Sequence, residues 1–274
     1  VLNDSKMGKD QAEEIWKKNE PRLSENIDLF PKNCIYMRWN YYEPKTLGNL
    51  MAIDWFKSHD LKVMAVTAAT MYPDVMLPRD NSHFQSIKDF CEVANEKKMD
   101  GILCTIWDDR SPHFETEWRG LYFFALFSWN YNDMNLEEAN SLFRYRFYGP
   151  SLGGNSYEFQ NKLETALNFW ETALIEDRTE KRANYPKSIH LIELPDSSKP
   201  KAWAKKYNER VSMAKDELLR YTDIKRIIDK SEKSAQFNKY SLQVMSQINE
   251  LQIYPSRLLL LLSSYDESAS EIRT

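Results

Sequence analysis

Three stretches of this 274-residue chain place aromatic and hydrogen-bonding side chains directly after a run of apolar residues. They are Trp39-Asn40-Tyr41-Tyr42, Thr67 to Tyr72, and Trp107-Asp108-Asp109-Arg110. The flat face of an indole can stack on the apolar C–H face of a pyranose, while carboxylates and tyrosine hydroxyls can bind the hydroxyl groups of the sugar. These residue types favour a carbohydrate site. Tryptophan at a strand end is also common in ordinary core packing, so composition alone leaves both interpretations open.

The apolar runs before these residues are predicted strands, and helices are predicted between them. The predicted strands are Asn33 to Trp39, Lys62 to Thr67 and Gly101 to Trp107; the predicted helices are Asp10 to Asn19, Thr46 to His59, Ser82 to Lys98 (with Ser82 as N-cap) and Glu117 to Trp129. Apolar strands that alternate with helices predict a parallel sheet buried on both faces. The ligand site of such a sheet lies beyond the carboxyl ends of its strands, where the three stretches fall.

Three strands alone would leave two bare sheet edges and an open apolar face. A TIM (β/α)₈ barrel needs eight strands and typically about 250 residues. Residues 1–150 are therefore predicted to be the C-terminal part of such a barrel, its last three strands, rather than a small open α/β sheet.

The remainder of the chain, residues 151–274, is predicted to be an all-α helical bundle with a structural role. No glycine follows Gly154, which disfavours the tight turns of an all-β fold. Apolar residues at helical spacing predict three long helices, Ser156 to Lys181, Ala202 to Ser231 and Ala235 to Ser264, with a proline-containing loop before the second.

Composition and motifs exclude several classes of function. A net charge of −4 and a pI of about 5.7 provide no basic surface for nucleic acid. The longest apolar run, Leu258 to Leu262, is too short to span a membrane. Glycine-rich phosphate loops, HExxH and CxxC are absent, so neither a cofactor nor a metal is expected. The cysteines at 34, 91 and 104 lie in apolar patterns and are predicted to be buried free thiols.

The segments PKNCIYMRWNYY, LKVMAVTAAT and GILCTIWDD, in that order and spacing, resemble the last three barrel strands of glycoside hydrolase family 20, which contains the β-N-acetylhexosaminidases. WRGLYFFALFSWN resembles the helix after the last strand. The resemblance covers residues 33–149 and extends loosely to the helical tail, which is similar to a C-terminal extension of some bacterial members. It implies a retaining, exo-acting hydrolase that removes terminal β-linked N-acetylhexosamine in an extracytoplasmic compartment, periplasmic or secreted.

The resemblance also implies roles for five substrate-binding residues. Trp39 and Trp107 would wall the pocket that holds the terminal N-acetylhexosamine. Asp109 matches an acidic position that binds sugar hydroxyls, and Tyr41 would hydrogen-bond the acetamido group. Tyr72 is the candidate for a further tyrosine of this kind, although it lies several residues beyond its strand.

The family's catalytic residues have no counterpart here. In the family, the acetamido oxygen of the substrate attacks the anomeric carbon, an Asp orients the acetamide, and the adjacent Glu is the general acid/base, which is an exception to the two-carboxylate scheme. That pair belongs after the fourth strand, in a context like H-x-G-x-D-E, which this chain lacks. The dipeptides Asp216-Glu217 and Asp266-Glu267 are predicted to lie on solvated helix faces. We therefore expect no catalytic residue in this chain, and the Asp-Glu pair upstream of it.

The chain starts at Val1 without a methionine, which suggests a processed or truncated product. Its expected partners are the missing N-terminal part of the barrel and an N-acetylhexosamine-containing glycan. Two alternatives stay open. The parent protein could be a non-catalytic carbohydrate-binding pseudoenzyme, in which case no H-x-G-x-D-E motif would precede Val1. The chain could instead be a structural helical module with a partial α/β lid, in which case Trp107→Ala would leave sugar binding unchanged.

Overall fold

A computed structural model of the chain describes residues 9–70, 83–107, 111, 113–129, 133–177 and 190–268. These residues divide into two compact units, the first extending to Ala139 and the second beginning at Asn140. The division falls ahead of the boundary predicted at residue 150. Most of the described residues are helical, and the strands of the described sheet lie in the first unit.

The first unit alternates helices with strands, as its apolar runs predict. In chain order its elements are α1 (Lys9–Glu25), β1 (Ile35–Trp39), α2 (Leu47–Ser58), β2 (Lys62–Ala68), α3 (Phe84–Glu96), β3 (Gly101–Thr105) and α4 (Trp118–Trp129). Helix α3 begins after His83 without a side-chain capping bond, and the predicted N-cap Ser82 lies outside the described residues.

The described strands form one parallel sheet in the order β1-β2-β3. Trp39 pairs with Val66, which in turn pairs with Leu103. Paired residues of neighbouring parallel strands point to the same side of a sheet, and successive residues of one strand point to opposite sides. Trp39, Val66 and Leu103 therefore share one face, and the residues that precede them share the other.

Helices α2, α3 and α4 pack on that second face. Ala65 lies in one cluster with Ile53 of α2 and Phe90 of α3. Ile102 of β3 packs against this cluster and also against the cluster around Phe123 of α4. Contacts to the sheet from all three helices thus involve the same side of the strands, and the apolar core of this unit lies between the helices and that side.

The opposite face of the sheet is uncovered on its outer strands, so these strands are not buried on both faces, and the open apolar face expected of three strands alone is present. Ile35, Met37 and Trp39 of β1 are 50%, 57% and 44% exposed, and Leu103 of β3 is 37% exposed. The central strand β2 is exposed at Lys62 but completely buried from Ala65 to Ala68. A continuous apolar run indicates that both faces of a strand are hydrophobic, but it does not indicate which face other elements cover. The apolar runs therefore could not predict this difference.

Gly120 allows α4 to approach the end of β2. A Cβ atom at this position would lie 2.7 Å from the carbonyl oxygen of Ala69, which is part of the backbone and cannot swing aside. One of the few glycines of the chain is thus required by close helix-sheet packing rather than by a turn.

The second unit is helical, but its helices are shorter than the sequence pattern predicts. They are α5 (Leu136–Phe147), which starts in the first unit, α6 (Gln160–Thr172), α7 (Ala202–Lys206), α8 (Asn208–Ser234), α9 (Lys239–Gln252) and α10 (Tyr254–Ser268). The predicted helix Ser156 to Lys181 ends at Thr172, and the two later predictions each split into two helices. Helix α5 was not predicted.

Two of these helix ends have a visible physical cause. The guanidinium of Arg210 in α8 donates to the carbonyl oxygens of Ala173, Ile175 and Glu176, which takes up acceptors just past the end of α6. Pro255 has no backbone N–H to donate, so it is accommodated in the first turn of α10 and not inside one continuous helix.

Cys34 and Asp266 differ from their predicted environments. Cys34 is exposed and precedes β1, whereas Cys91 is buried and Cys104 is half-buried. Asp266 was predicted on a solvated helix face, but it is completely buried, and its carboxylate accepts a hydrogen bond from the backbone N–H of Ala204 at 2.8 Å. In each case the local sequence pattern carries no information about which distant segment covers the residue.

Candidate functional site

Three aromatic side chains meet at the carboxyl edge of the sheet. Trp39 is the last residue of β1, Tyr41 follows it by two positions, and Trp107 follows the end of β3 by two positions. The ring centroids of Trp39 and Trp107 are 6.0 Å apart with an interplanar angle of 74°. Tyr41 lies 6.0 Å from Trp39 and 6.3 Å from Trp107. We call these three residues the aromatic triad.

The sheet explains how residues from non-neighbouring strands come into contact. Strands β1 and β3 flank β2, so they are roughly 10 Å apart at the usual strand spacing. Near the carboxyl edge, the residues of β2 on the same face are Val66 and Ala68, which are small and completely buried. Large indole side chains can therefore reach over the central strand and touch.

A short hydrogen-bond network joins the triad to the end of β3. The indole Nε1–H of Trp107 donates to the hydroxyl oxygen of Tyr41 at 3.2 Å and to Oγ1 of Thr105 at 3.1 Å. The hydroxyl of Thr105 donates to the carbonyl oxygen of Thr67 at 3.1 Å. Sequence reasoning passed over Thr105, because it is an ordinary β-branched residue inside an apolar strand.

The exposure and chemistry of the triad suit binding. Trp39 is 44% exposed, and Tyr41 and Trp107 are half-buried. Aromatic ring faces and a phenol hydroxyl offer stacking together with one hydrogen-bonding group. The triad contains no carboxylate, imidazole or thiol, and the phenol of Tyr41 is its one side chain of a type that can act as a general acid.

Asn40, one of the predicted hydrogen-bonding side chains at this edge, is used inside the protein. It is 4% exposed, and its Oδ1 accepts the backbone N–H groups of Tyr42 and Glu43 at 3.2 and 3.1 Å. Its Nδ2 donates to the carbonyl oxygen of Glu43 at 3.2 Å. This side-chain turn fixes the path of the chain after β1 and therefore the position of Tyr41.

The end of β2 holds a buried carboxylate that the sequence pattern did not single out. Glu117 was predicted only as the first residue of a helix, yet it is 3% exposed. Its carboxylate accepts hydrogen bonds from the hydroxyl of Thr70 and, at 3.3 Å, from that of Thr116. Thr70 is thus engaged in tying the end of β2 to the start of α4. Thr70 lies 47 positions before Glu117 in the chain, so the local sequence carries no signal of this contact.

Two of the predicted substrate-binding residues lie outside the described residues. They are Tyr72 and Asp109, together with the neighbours of the latter, Asp108 and Arg110. Their proposed contacts with a sugar stay predictions. Of the five predicted residues, the structure brings Trp39, Tyr41 and Trp107 into one cluster.

Neither the described cysteines nor the possible metal ligands of the described residues provide a second reactive site. Burial raises the pKa of the Cys91 and Cys104 thiols to about 12, which keeps both thiols protonated and poorly nucleophilic at neutral pH. Within the described ranges, no group of three or more His, Cys, Asp or Glu side chains could hold a metal ion. The helices of those ranges are also too short or too polar to cross a membrane.

Comparisons with protein-family models, with curated proteins and with solved structures give no match to this chain.

Proposed function

We propose that this chain is the C-terminal part of a (β/α)₈ barrel of the family 20 type and that it binds the terminal N-acetylhexosamine of a glycan. The observation that carries the proposal is the aromatic triad. Its two indoles and one phenol come from the ends of two non-adjacent strands and meet at the carboxyl edge of a parallel sheet. In parallel barrels the ligand site lies at this edge.

The way the sheet is wound supports the barrel. The strands are adjacent in chain order, and helices α2, α3 and α4 all contact the same face. A doubly wound sheet carries helices on both faces, whereas a barrel carries them on the outside and fills its interior with strand side chains. The exposed side chains of Ile35, Met37 and Leu103 occupy the face that would point into the barrel. Strands from an N-terminal part of the barrel would cover them.

Each proposed binding residue has a distinct task. Trp39 and Trp107 stack against the apolar face of the sugar, and Tyr41 hydrogen-bonds the acetamido group. Asp109 binds sugar hydroxyls as a charged acceptor, and Tyr72 is the candidate for a second contact to the acetamido group. The last two assignments depend on the resemblance alone.

The reaction in which this site would take part is retaining, exo-acting, substrate-assisted hydrolysis, in an extracytoplasmic protein. The chain would supply sugar binding, and the Asp-Glu pair would come from the N-terminal part of the barrel. The Asp-Glu dipeptides of the chain are engaged elsewhere. Glu217 pairs with Arg220 at 2.6 Å within α8, and Asp266 binds the backbone of Ala204. Neither lies at a strand end.

A titration with methyl β-N-acetylglucosaminide, followed through the indole N–H resonances of the ¹⁵N-labelled chain, tests the proposal. We expect the resonances of Trp39 and Trp107 to shift, and Trp107→Ala to weaken binding about tenfold, a loss of about 1.4 kcal/mol. Trp129→Ala is the matched control, because Trp129 is 92% exposed at the end of α4. Unchanged binding by Trp107→Ala would contradict the proposal.

An activity assay tests the expectation that this chain lacks the general acid/base of the Asp-Glu pair. The isolated chain should not hydrolyse a chromogenic N-acetylglucosaminide, and turnover that a point mutation in this chain abolishes would contradict this expectation. A complete parent protein that binds the sugar without hydrolysing it would identify the pseudoenzyme alternative.

A further inference from the structure

The hydroxyl of Thr105 has two partners that together set the direction of its hydrogen bonds. A threonine hydroxyl has one proton to donate and two lone pairs to accept with. The proton goes to the carbonyl oxygen of Thr67 at 3.1 Å, which cannot itself donate. A lone pair accepts the indole N–H of Trp107 at 3.1 Å. The contact between Thr105 Oγ1 and the hydroxyl of Tyr41, at 3.5 Å, is longer than an ordinary O–H···O bond.

The donor and acceptor capacities of the two side chains also fix the role of the Tyr41 hydroxyl. The indole of Trp107 can only donate, so the oxygen of Tyr41 accepts from it at 3.2 Å. Within the described part of the chain, no acceptor takes the phenolic proton of Tyr41 at the length of an ordinary O–H···O bond. The proton is therefore available to a ligand that offers an acceptor atom.

We infer that Thr105 is a positioning residue for the Trp107 indole. Its hydroxyl gives the indole N–H a second, fixed acceptor and so holds the ring in one orientation. This arrangement keeps the Tyr41 hydroxyl available as a hydrogen-bond donor to the ligand. The inference rests on the proposed function and names the determinant of its specificity. A hexose with a 2-acetamido group offers a carbonyl oxygen to Tyr41. A hexosamine with a free ammonium group offers only donors at that position, so the site should discriminate against it.

The geometry explains why Thr105 and not Tyr41 alone must hold the indole. Thr105 lies in β3, and its side chain is tied to the backbone of the neighbouring strand β2. Tyr41 lies beyond the end of β1, in the turn held by Asn40. If the indole N–H bonded to Tyr41 alone, its hydrogen bond would be made only to this turn. With Thr105 the indole is attached to the sheet, and the ring face keeps one orientation towards the ligand.

Thr105→Val and Thr105→Ser form a matched pair for the test. Valine keeps the shape of the side chain and removes the hydroxyl, whereas serine keeps the hydroxyl. We expect Thr105→Val to shift the indole N–H resonance of Trp107 and to speed its hydrogen exchange. The variant should bind methyl β-N-acetylglucosaminide about three- to tenfold more weakly. Its preference for this sugar over glucosamine should also be smaller than that of the wild type. Thr105→Ser should restore both the exchange rate and the affinity to within about twofold of the wild type.

The outcomes separate this inference from the proposed function. If the wild-type chain binds the N-acetylglucosaminide and Thr105→Val changes neither the indole exchange nor the affinity, the positioning role is wrong. It is also wrong if the serine variant behaves like the valine variant. If the wild-type chain binds no sugar, the proposed function and the specificity inferred from it both fail. The exchange measurement, which needs no ligand, then still decides whether Thr105 holds Trp107.

Discussion

The indole Nε1–H of Trp107 lies 3.2 Å from the hydroxyl oxygen of Tyr41, although the two residues are 66 positions apart in the chain. The contact joins the ends of β1 and β3 across the central strand β2. It makes the hydroxyl oxygen of Tyr41 a hydrogen-bond acceptor, because an indole N–H can only donate.

Tyr41→Phe is predicted to reduce affinity selectively for N-acetylated sugars. The variant keeps the ring and its contacts with Trp39 and Trp107 but removes the hydroxyl. A neutral hydrogen bond contributes about 0.5–1.5 kcal/mol, so binding of methyl β-N-acetylglucosaminide should weaken about two- to tenfold. Calorimetric titration of the wild type and the variant with the N-acetylated sugar and with glucosamine measures the difference.

Tyr42→Phe is the matched control for this prediction. Tyr42 is the next residue, is 44% exposed, and its ring contacts His83 rather than the triad. The two sugars should bind this variant as they bind the wild type. An equal loss of affinity for both sugars in Tyr41→Phe would show that the hydroxyl does not recognise the acetamido group.

Gly120→Ala is predicted to destabilise the first unit. The new methyl group would lie 2.7 Å from the carbonyl oxygen of Ala69, so α4 or the end of β2 would have to move. Overpacking of this kind costs about 1–3 kcal/mol, and the urea midpoint of unfolding should fall accordingly.

Gly154→Ala provides the comparison for this substitution. A methyl group at position 154 would meet only the Ser156 hydroxyl oxygen, at 4.0 Å, and the backbone there has φ −76°, which alanine adopts without strain. Its free energy of unfolding should stay the same or rise by up to about 1 kcal/mol, since the unfolded chain loses conformational freedom. A Gly120→Ala protein as stable as the wild type would contradict the close approach of α4.

The three cysteines are predicted to differ sharply in reactivity. Cys34 is exposed, whereas burial raises the pKa of the Cys91 and Cys104 thiols to about 12. A raised thiol pKa means that the neutral form persists to higher pH, so at pH 8 only about one in ten thousand of the buried thiols is ionised. Alkylation of the folded protein at pH 8, followed by mass spectrometry, should modify Cys34 alone.

Cys34→Ser is the control for alkylation. The folded variant should take up no label, and addition of denaturant should expose two thiols. Labelling of Cys104 at the rate of Cys34 in the folded wild type would show that the face of β3 towards the helices is open to solvent.

Local sequence patterns were sufficient to predict the strands and the edge of the sheet at which the candidate site lies. Runs such as Lys62 to Thr67 are apolar and β-branched over a length typical of strands, so they identify β2 without reference to the remainder of the chain. Trp39 and Trp107 are the last residues of two such predicted strands, and the rule that parallel strands end at the same edge predicts that both lie at one edge of the sheet. A further local signal was missed at α5. Asn135 Oδ1 accepts the N–H of Glu138 while the Glu138 carboxylate accepts the N–H of Asn135, which is a capping box readable in the sequence.

Tertiary structure alone decided the remaining features. The side on which α2 and α3 pack decides which face of β1 is covered. Asp266 is buried where its carboxylate binds the backbone of Ala204. Helix α6 ends where Arg210 of another helix binds the carbonyl oxygens that follow it. The role of Thr105 depends on a carbonyl of β2 and an indole beyond β3. Residue type and periodicity report how a segment interacts with solvent and with its near neighbours. They carry no record of which distant group supplies a particular hydrogen bond or covers a particular face, and those partners determine the site.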